Sequence, residues 1–212
     1  MFDQHCHILW DVDDGAATRD DSLQMLDAAR KAGITRMLCT PHLRWDDFDR
    51  NKVQRHFDEF KELAADQGIV AELGFEVYYK TLLKKGLHHA PEFCLGNSNR
   101  ILLEFNSGGE ITFGWEQTIF KLQNTYGLDV VIAHPERYST VQKDFEAVYR
   151  LLDAGCKLQI SAMDLDKGFL SKPVKVAKRM VKEGLGAVLV SDAHRAEHYR
   201  VFQKIGSKLG KL

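Results

Sequence analysis

The sequence predicts an α/β fold in which seven parallel strands alternate with helices and close into a barrel. Six apolar runs, each 6 to 8 residues long and rich in Ile, Leu and Val, are typical of strands buried on both faces, and a further run opens the chain. Amphipathic segments separate the runs at roughly 30-residue intervals, as right-handed crossovers between parallel strands require. An open, doubly wound sheet is the alternative architecture. The runs are residues 2–8, 34–40, 69–76, 100–105, 128–133, 156–161 and 186–191.

Helical patterns fill several of the segments between these runs. Thr18 followed by Asp21 is typical of a capping box, which satisfies two backbone N–H groups at a helix start, and Gly33 suits the end of that helix. Pro173 suits the first turn of a later helix, where its missing N–H costs nothing. The predicted helices cover residues 18–33, 53–64, 141–152 and 173–184.

Length and charge limit the class of protein. The chain has 212 residues, of which 44% are hydrophobic and 28% are charged, so residues 1–212 are expected to form a single domain with a substantial core. With 29 Lys and Arg against 30 Asp and Glu, the formal net charge is -1. Bulk positive charge is therefore missing, which disfavours nucleic acid and membrane surfaces as partners but leaves local basic pockets open.

Cysteine usage and the lack of long apolar runs predict a cytoplasmic protein. No run approaches the roughly 18 apolar residues that a membrane-spanning helix needs, and the first residues have no secretion signal. Cys6, Cys39, Cys94 and Cys156 form no C-x-x-C pair and suit a reducing compartment. The sequence leaves the oligomeric state open.

Histidine and carboxylate residues fall where the predicted strands end. His5 and His7 alternate on the first strand, so both imidazoles point the same way. In a parallel barrel the ends of all strands lie on one rim, so these side chains are expected to converge there. The residues at these ends are His5, His7, His42, Glu76, Glu104, His134, Asp192 and His194.

The convergence predicts a site for several metal ions. Mixed nitrogen and oxygen ligands suit Mn, Fe or Zn, whereas the lack of thiolates disfavours a structural zinc site. The alternative is that some of these residues are hydrogen-bonded polar groups at strand ends. The other four histidines are predicted to lie on the surface; they are His56, His88, His89 and His198.

Seven short motifs, in order along the chain, carry a family resemblance. They are His5-Cys6-His7, Val12-Asp13-Asp14-Gly15, Thr40-Pro41-His42, Gly74-Phe75-Glu76, Leu103-Glu104-Phe105, Ala133-His134-Pro135-Glu136-Arg137-Tyr138 and Ser191-Asp192-Ala193-His194. These motifs resemble those of the PHP (polymerase and histidinol phosphatase) superfamily. Within it, the chain is similar to the bacterial capsular-polysaccharide tyrosine phosphatases of the CpsB/YwqE type, from residue 1 to about residue 195.

The resemblance implies a distorted seven-stranded (β/α)7 TIM-like barrel with three divalent metal ions, most often Mn2+, at the carboxyl-terminal rim of its strands. Glu76 would bridge the first two ions, and Asp14 has Asp11 and Asp13 as neighbours able to replace it. Carried over by motif, the first ion would take His5, His7 and Asp192, the second Glu104 and His134, and the third Asp14, His42 and His194.

The activity implied is metal-dependent hydrolysis of phosphotyrosine, with a tyrosine autokinase of capsule or exopolysaccharide synthesis as the expected substrate. Clustered cations activate water and neutralise phosphate oxygens. Because a guanidinium binds phosphate through two N–H groups, Arg137 and Arg44 are the candidates for clamping the phosphate. Trp45 and Phe48 are candidates for contact with the phenol ring, and packing is the alternative for both.

Other chemistries fit the sequence less well. Cys94 and Arg100 have the C-x5-R spacing of cysteine tyrosine phosphatases, but they precede a predicted strand, whereas that phosphate loop opens a helix. The run Asp11-Val12-Asp13 resembles an aspartyl-phosphate motif but leaves the histidines unexplained. Two alternatives stay open within the resemblance: a phosphoesterase for a small molecule such as histidinol phosphate, and a catalytically idle module that binds metal or a partner.

We predict that Cys94→Ser leaves phosphatase turnover almost unchanged, because metal-activated water replaces a thiolate nucleophile. Phosphate release from a tyrosine-phosphorylated peptide by the purified wild type and variant measures this. A folded but inactive variant would instead favour the cysteine mechanism.

Overall fold

The computed structural model describes residues 1–44, 48–166, 168 and 171–210. Within these residues the chain forms nine strands and nine α-helices. The strands are β1 (Phe2–Cys6), β2 (Arg36–Cys39), β3 (His42–Leu43), β4 (Val70–Leu73), β5 (Glu76–Tyr78), β6 (Arg100–Glu104), β7 (Asp129–Ile132), β8 (Lys157–Ser161) and β9 (Val188–Val190). The helices are α1 (Arg19–Lys31), α2 (Arg50–Asp66), α3 (Tyr79–Lys85), α4 (Trp115–Asn124), α5 (Ser139–Lys143), α6 (Glu146–Asp153), α7 (Ala162–Asp166), α8 (Lys172–Lys182) and α9 (Ala196–Leu209).

The pairs between these nine strands are parallel, as predicted. One sheet has the order β1-β2-β4 and the other has the order β3-β5-β6-β7-β8-β9. The first strand also meets the residues that follow the last one, since Cys6 and Ala193 form a parallel bridge. There the His7 N–H donates to the Ala193 carbonyl at 2.8 Å, and the Asp192 N–H donates to the His5 carbonyl at 2.9 Å. The two ends of the strand series are therefore neighbours.

The strand count differs from the predicted seven, because two segments are interrupted. The run 69–76 contains β4 and the start of β5, separated at Gly74, and β3 follows β2 after Pro41. Proline has no N–H for a neighbouring strand, and a Cβ at Gly74 would lie 2.8 Å from the Leu95 side chain. As a result β2 pairs with β4 in one sheet, whereas β3 pairs with β5 in the other.

Three of the four predicted helices are confirmed. α1 begins with the capping box: the Asp21 N–H donates to Thr18 Oγ1 at 3.2 Å, and the Thr18 N–H donates to an Asp21 carboxylate oxygen at 2.9 Å. It ends before Gly33, whose φ of 81° suits glycine. α2 and α8 lie where their periodicity predicts them. No helix in the described part of the chain is long and apolar enough to cross a membrane.

The apolar stripe at 141–152 forms two helices, α5 and α6, and not the single helix predicted. Between them Asp144 is extended, with φ -141° and ψ 106°, and its carboxylate accepts a hydrogen bond from the Glu146 N–H at 3.1 Å. An aspartate that bonds nearby backbone in this way competes with helical hydrogen bonds. Helices α3, α4, α7 and α9 lie outside the four segments for which helix bounds were predicted.

The central strands are buried on both faces, as their composition predicts. In β6, Ile101 and Leu103 pack in the main core, whereas Leu102 joins a smaller apolar cluster that includes Val131. Because side chains alternate along a strand, Glu104 lies on the same face as Leu102. That inner face therefore changes from apolar to acidic toward the carboxyl end of β6.

The turn after β1 brings Gly15 against the backbone of His7. A Cβ at Gly15 would lie 2.0 Å from the His7 carbonyl oxygen and 2.6 Å from the His7 Cβ. The same carbonyl accepts a hydrogen bond from the Ala16 N–H at 3.1 Å. The close approach therefore requires a residue without a side chain.

We predict that Gly15→Ala lowers the free energy of unfolding by about 1–3 kcal/mol or more, because the added methyl group must displace the His7 backbone. Urea denaturation followed by circular dichroism measures the change. Gly168→Ala is the matched control, since a Cβ there meets no atom within 4 Å. Equal stability of the two variants would contradict this assignment.

Candidate metal centre

All nine residues predicted as metal ligands lie in one cluster. His134 joins it through Nε2, which is 2.8 Å from Oε1 of Glu76. The other eight form three overlapping groups, within each of which the ligand atoms lie within 4.8 Å of one another. These groups are His5, His7 and Asp192; His42, Glu76 and Glu104; and His7, Asp14, His42 and His194.

The interruptions at Pro41 and Gly74 determine the positions of two predicted ligands, His42 and Glu76. Glu104 ends β6, as predicted, but Glu76 is the first residue of β5 and not the last residue of a longer strand. His42 is likewise the first residue of β3, and the two lie in register as partners in the β3–β5 pair. The breaks that the apolar runs do not reveal therefore set the imidazole of His42 beside the carboxylate of Glu76.

Glu76 occupies the centre of the cluster and is fully buried. Its Oε2 is 2.9 Å from Nδ1 of His42 and 3.3 Å from Nε2 of both His5 and His7. With His134 at Oε1, four imidazoles surround one carboxylate. A carboxylate in this position has both oxygens directed at neighbouring ligand groups, as a bridging ligand requires.

Several atoms of the cluster are buried without a hydrogen bond, which is unusual for polar groups. Among the described residues, Glu76 Oε2, Asp192 Oδ1 and His134 Nδ1 have no hydrogen-bond partner. The two carboxylate oxygens both face the imidazole of His5. A buried polar atom left in this way costs about 1–3 kcal/mol. A cation within reach would remove that cost, and nitrogen and oxygen donors of this kind suit Mn, Fe or Zn. The residues present therefore fit divalent metal ions.

The cluster also attracts positive charge. Burial by itself would lower the pKa of His42, but the Glu76 carboxylate raises it to about 9. Burial likewise opposes protonation of His7, but Asp13 and Glu76 hold its pKa well above the ordinary value. For Glu76 burial would raise the pKa, whereas His5 and His42 hold it well below its usual range. A potential that favours protons on imidazoles also favours metal cations, and the two compete for the same nitrogens.

Two residues outside the predicted set orient the imidazoles. The buried carboxylate of Asp13 has Oδ2 2.7 Å from His7 Nδ1, and the same oxygen accepts a hydrogen bond from the His42 N–H at 3.0 Å. Gln159 Oε1 lies 3.0 Å from His5 Nδ1. A metal-ligating imidazole usually makes such a bond through its second nitrogen, which fixes its tautomer and direction. Nothing in the sequence pointed to Gln159, which is 154 residues from His5 along the chain.

The choice among the neighbouring aspartates follows from their contacts. Asp14 Oδ1 lies 3.4 Å from His194 Nε2, inside one of the ligand groups. Asp13 holds His7 from the other ring nitrogen, and Asp11 pairs with Lys52 at 2.8 Å. The geometry therefore favours Asp14 as the ligand and gives Asp13 an orienting role. The sequence motif did not show which of the neighbouring aspartates is the ligand.

Two of the predicted ligands have strained backbones. His134 has φ 31° and Asp192 has φ 50°, in the left-handed region that residues other than glycine seldom adopt. Such conformations cost about 1–3 kcal/mol each and persist mainly at functional sites, where the surroundings hold them. Each lies two residues after the end of its strand, and its side chain lies in the cluster.

Both predicted clamp arginines pair with carboxylates of the cluster. Arg44 Nη2 donates to Glu104 Oε2, and Arg137 Nη2 donates to Asp192 Oδ2, each at 2.5 Å. The two side chains are 28% and 24% exposed, whereas their carboxylate partners are 2% exposed. Each arginine side chain is therefore more exposed than the carboxylate with which it pairs.

The predicted aromatic contacts are described in part. Phe48 packs edge-on against Phe75, with ring centroids 5.6 Å apart, and it also lines a cavity beside His42 together with Val12. The packing of Phe48 is therefore confirmed, whereas its contact with a phenol ring stays a prediction. Trp45 lies outside the described residues.

Three of the four histidines predicted on the surface are partly buried. His88 is exposed and His89 is partly exposed. His56 and His198 are half-buried: Nδ1 of His56 lies 2.8 Å from a backbone carbonyl, and Nδ1 of His198 accepts a hydrogen bond from the His194 N–H at 3.1 Å. The surface prediction therefore holds in full for His88, whereas a hydrogen-bonded neighbour partly covers each of the other three rings.

The structure also argues against a cysteine nucleophile. Cys94 follows the 3-10 helix Leu87–Phe93, and Arg100 begins β6, so this segment leads into a strand. Arg100 donates a hydrogen bond to Gln4 Oε1 at 2.8 Å. Burial raises the pKa of the Cys94 thiol to about 11, whereas a nucleophilic cysteine needs a lowered pKa.

The parallel strands alternate with helices, and a cluster of histidines and carboxylates lies where strands end and begin. Both features are consistent with a metal-dependent phosphoesterase of the PHP superfamily, the class that the motifs predicted. Residues 1–203 match the model of one family in particular, described as capsular polysaccharide synthesis, CpsB/CapC. The chain belongs to the CpsB/CapC family.

Known relatives agree with this assignment and with the predicted resemblance. The chain is 29% identical over 208 residues to tyrosine-protein phosphatase CpsB of Streptococcus pneumoniae, covering 93% of this chain and 84% of that protein. It is 30% identical over 202 residues to tyrosine-protein phosphatase YwqE of Bacillus subtilis (strain 168), covering 93% and 78%. A solved structure from work on YwqE of Bacillus subtilis and CpsB of Streptococcus pneumoniae, described as metal-dependent tyrosine phosphatases, matches with a TM-score of 0.82 and 27% identity over 100% of this chain and 88% of that chain.

We predict that Asp13→Asn weakens the binding of Mn2+ by about 10- to 100-fold. The carboxylate of Asp13 is a charged acceptor that fixes the orientation of the His7 imidazole, and a neutral amide would hold the ring less firmly. Titration of the metal-free protein with Mn2+ in a calorimeter measures the affinity. Asp11→Asn is the control, since Asp11 pairs with Lys52 and not with a ligand. Equal Mn2+ affinity in the two variants would show that Asp13 has no orienting role.

Proposed function

We propose that this chain is a metal-dependent phosphatase that hydrolyses phosphotyrosine in proteins. The observation that supports this most is the buried cluster around Glu76. Some of its carboxylate oxygens have no hydrogen-bond donor among the described residues, and a bound cation would supply the missing interaction. Membership of a family whose relatives are named tyrosine-protein phosphatases adds the substrate class.

The cluster would hold three divalent ions, with Mn2+ as the first choice and Fe or Zn as alternatives. When bound, such ions lower the pKa of water and offset the charge of phosphate oxygens. Glu76 would bridge the first two ions, as its central position suggests. The remaining ligands would be His5, His7 and Asp192 for the first ion, Glu104 and His134 for the second, and Asp14, His42 and His194 for the third.

The chain's own side chains would bind and orient the phosphate ester. Arg137 and Arg44 pair with carboxylates of the cluster and are partly exposed, and their guanidiniums would contact phosphate oxygens. Phe48 would form part of the wall against the phenol ring. A tyrosyl leaving group has a pKa of about 10, so its departure needs less assistance from a general acid than that of a serine alkoxide.

The nine described strands are best counted as seven positions of one distorted barrel. In this interpretation β2 with β3, and β4 with β5, are each one interrupted strand, and the Cys6–Ala193 bridge closes the ring. Residues 1–212 would then form one catalytic domain, with the metal site at the carboxyl-terminal rim.

The proposed protein substrate is a tyrosine autokinase that controls capsule or exopolysaccharide synthesis. The family's description as capsular polysaccharide synthesis supports this choice. The kinase would present a phosphotyrosine in a segment accessible to the cluster. A cytoplasmic location stays a prediction from the cysteine usage.

A substrate panel tests the proposed function. With Mn2+ present, we expect the purified chain to release phosphate from a tyrosine-phosphorylated peptide at least about tenfold faster than from the matched phosphoserine peptide or from histidinol phosphate, because the phenolate leaves more readily. A chelator should abolish this activity and added Mn2+ should restore it. Preference for histidinol phosphate would move the assignment to a small-molecule phosphoesterase, and full activity in chelator would exclude the metal mechanism.

A further inference from the structure

Asp164 is a fully buried carboxylate outside the predicted ligand set. It lies in α7, directly after β8, and its Oδ2 accepts a hydrogen bond from Nε of Arg137 at 2.5 Å. An ionised carboxylate at such depth is costly unless a cation accompanies it. The guanidinium of Arg137 supplies that cation, so the positions of the two side chains depend on each other.

Arg137 contacts two carboxylates through different N–H groups. Nε donates to Asp164, and Nη2 donates to Oδ2 of Asp192 at 2.5 Å. A guanidinium is planar and rigid, so fixing two of its nitrogens also fixes the direction of the third, Nη1. Within the described residues Nη1 makes no hydrogen bond to a side chain, and the arginine side chain is 24% exposed.

Asp192 divides its two oxygens between Arg137 and the imidazoles. Oδ2 accepts from Arg137, whereas Oδ1 lies 3.6 Å from Nε2 of both His5 and His7 and has no hydrogen bond among the described residues. A rotation of the Arg137 guanidinium would therefore also turn the carboxylate that faces the histidines. The three groups form one connected row from α7 to the candidate metal centre.

We propose that Asp164 is a positioning residue: it holds Nε of Arg137 so that Nη2 fixes Asp192 and Nη1 is directed at a phosphate oxygen of the substrate. This inference rests on the proposed function, since it names phosphate as the group that Nη1 meets. It gives Asp164 no contact with the substrate. Its effect on phosphate would pass through the guanidinium of Arg137.

The test is a double-mutant cycle between Asp164→Asn and Arg137→Ala in the Mn2+-loaded chain. We expect Asp164→Asn alone to raise the dissociation constant for inorganic phosphate, measured by calorimetry, about tenfold, because a charge-assisted hydrogen bond that orients the guanidinium is lost. The KM for the phosphotyrosine peptide should rise with it. In the Arg137→Ala background the same substitution should change either quantity less than about twofold, because coupled sites are not additive.

Controls separate positioning from a general loss of structure. Asp166→Asn, on the same helix and paired with Lys204 at 2.6 Å, should leave phosphate affinity and turnover unchanged. Should Asp164→Asn fail to fold, Asp164→Glu keeps the charge but moves the carboxylate, and it should weaken phosphate binding in the same way. The Mn2+ content of every variant is measured, so that lost ions are not mistaken for a displaced arginine.

Two outcomes would overturn the inference: unchanged phosphate affinity in a folded Asp164 variant, or equal fold-effects of that variant with and without Arg137. A wild-type chain that binds phosphate but does not hydrolyse the peptide would overturn the proposed function instead. In that case the phosphate titrations still decide the role of Asp164.

Discussion

The structure depends on the compensation of buried negative charge in the cluster around Glu76. Glu76, Glu104 and Asp192 are almost completely buried, and a carboxylate in such surroundings is stable only beside cations or hydrogen-bond donors. Imidazoles surround Glu76, and an arginine pairs with each of the other two. The pairing leaves some carboxylate oxygens without a hydrogen bond, and it is these atoms that make the cluster suited to metal ions.

Strands are interrupted, and backbone conformations are irregular, at the residues that position the side chains of this cluster. The interruptions at Pro41 and Gly74 shorten two strands, yet they bring His42 and Glu76 into register. His134 and Asp192 adopt left-handed backbones at the ends of β7 and β9. Local rules are most often broken at functional sites, where the rest of the fold offsets the cost. Here the apolar inner and outer faces of the strands provide that support.

Much of this was predictable from local pattern. Apolar runs identified the strand positions, and the capping box at Thr18 identified the start of α1, because both signals involve residues close together along the chain. Eight of the nine predicted ligands followed from the same logic, since polar residues at the ends of parallel strands are expected to meet, whereas Asp14 came from the family resemblance. The roles of Asp13, Gln159 and Asp164 were not predictable, because an aspartate or glutamine looks the same in sequence whether or not it faces an imidazole or a guanidinium.

The sequence by itself determined the fold class, the strand order of the site residues and the nitrogen and oxygen chemistry of the cluster. The tertiary structure alone decided which oxygen of each carboxylate faces which partner, where strands break, and that Arg137 is held by Asp164 as well as by Asp192. The reason is physical. Periodicity and capping act within a few residues, whereas the geometry of the cluster depends on backbone hydrogen bonds between strands far apart along the chain, such as the one that joins Asp192 to His5.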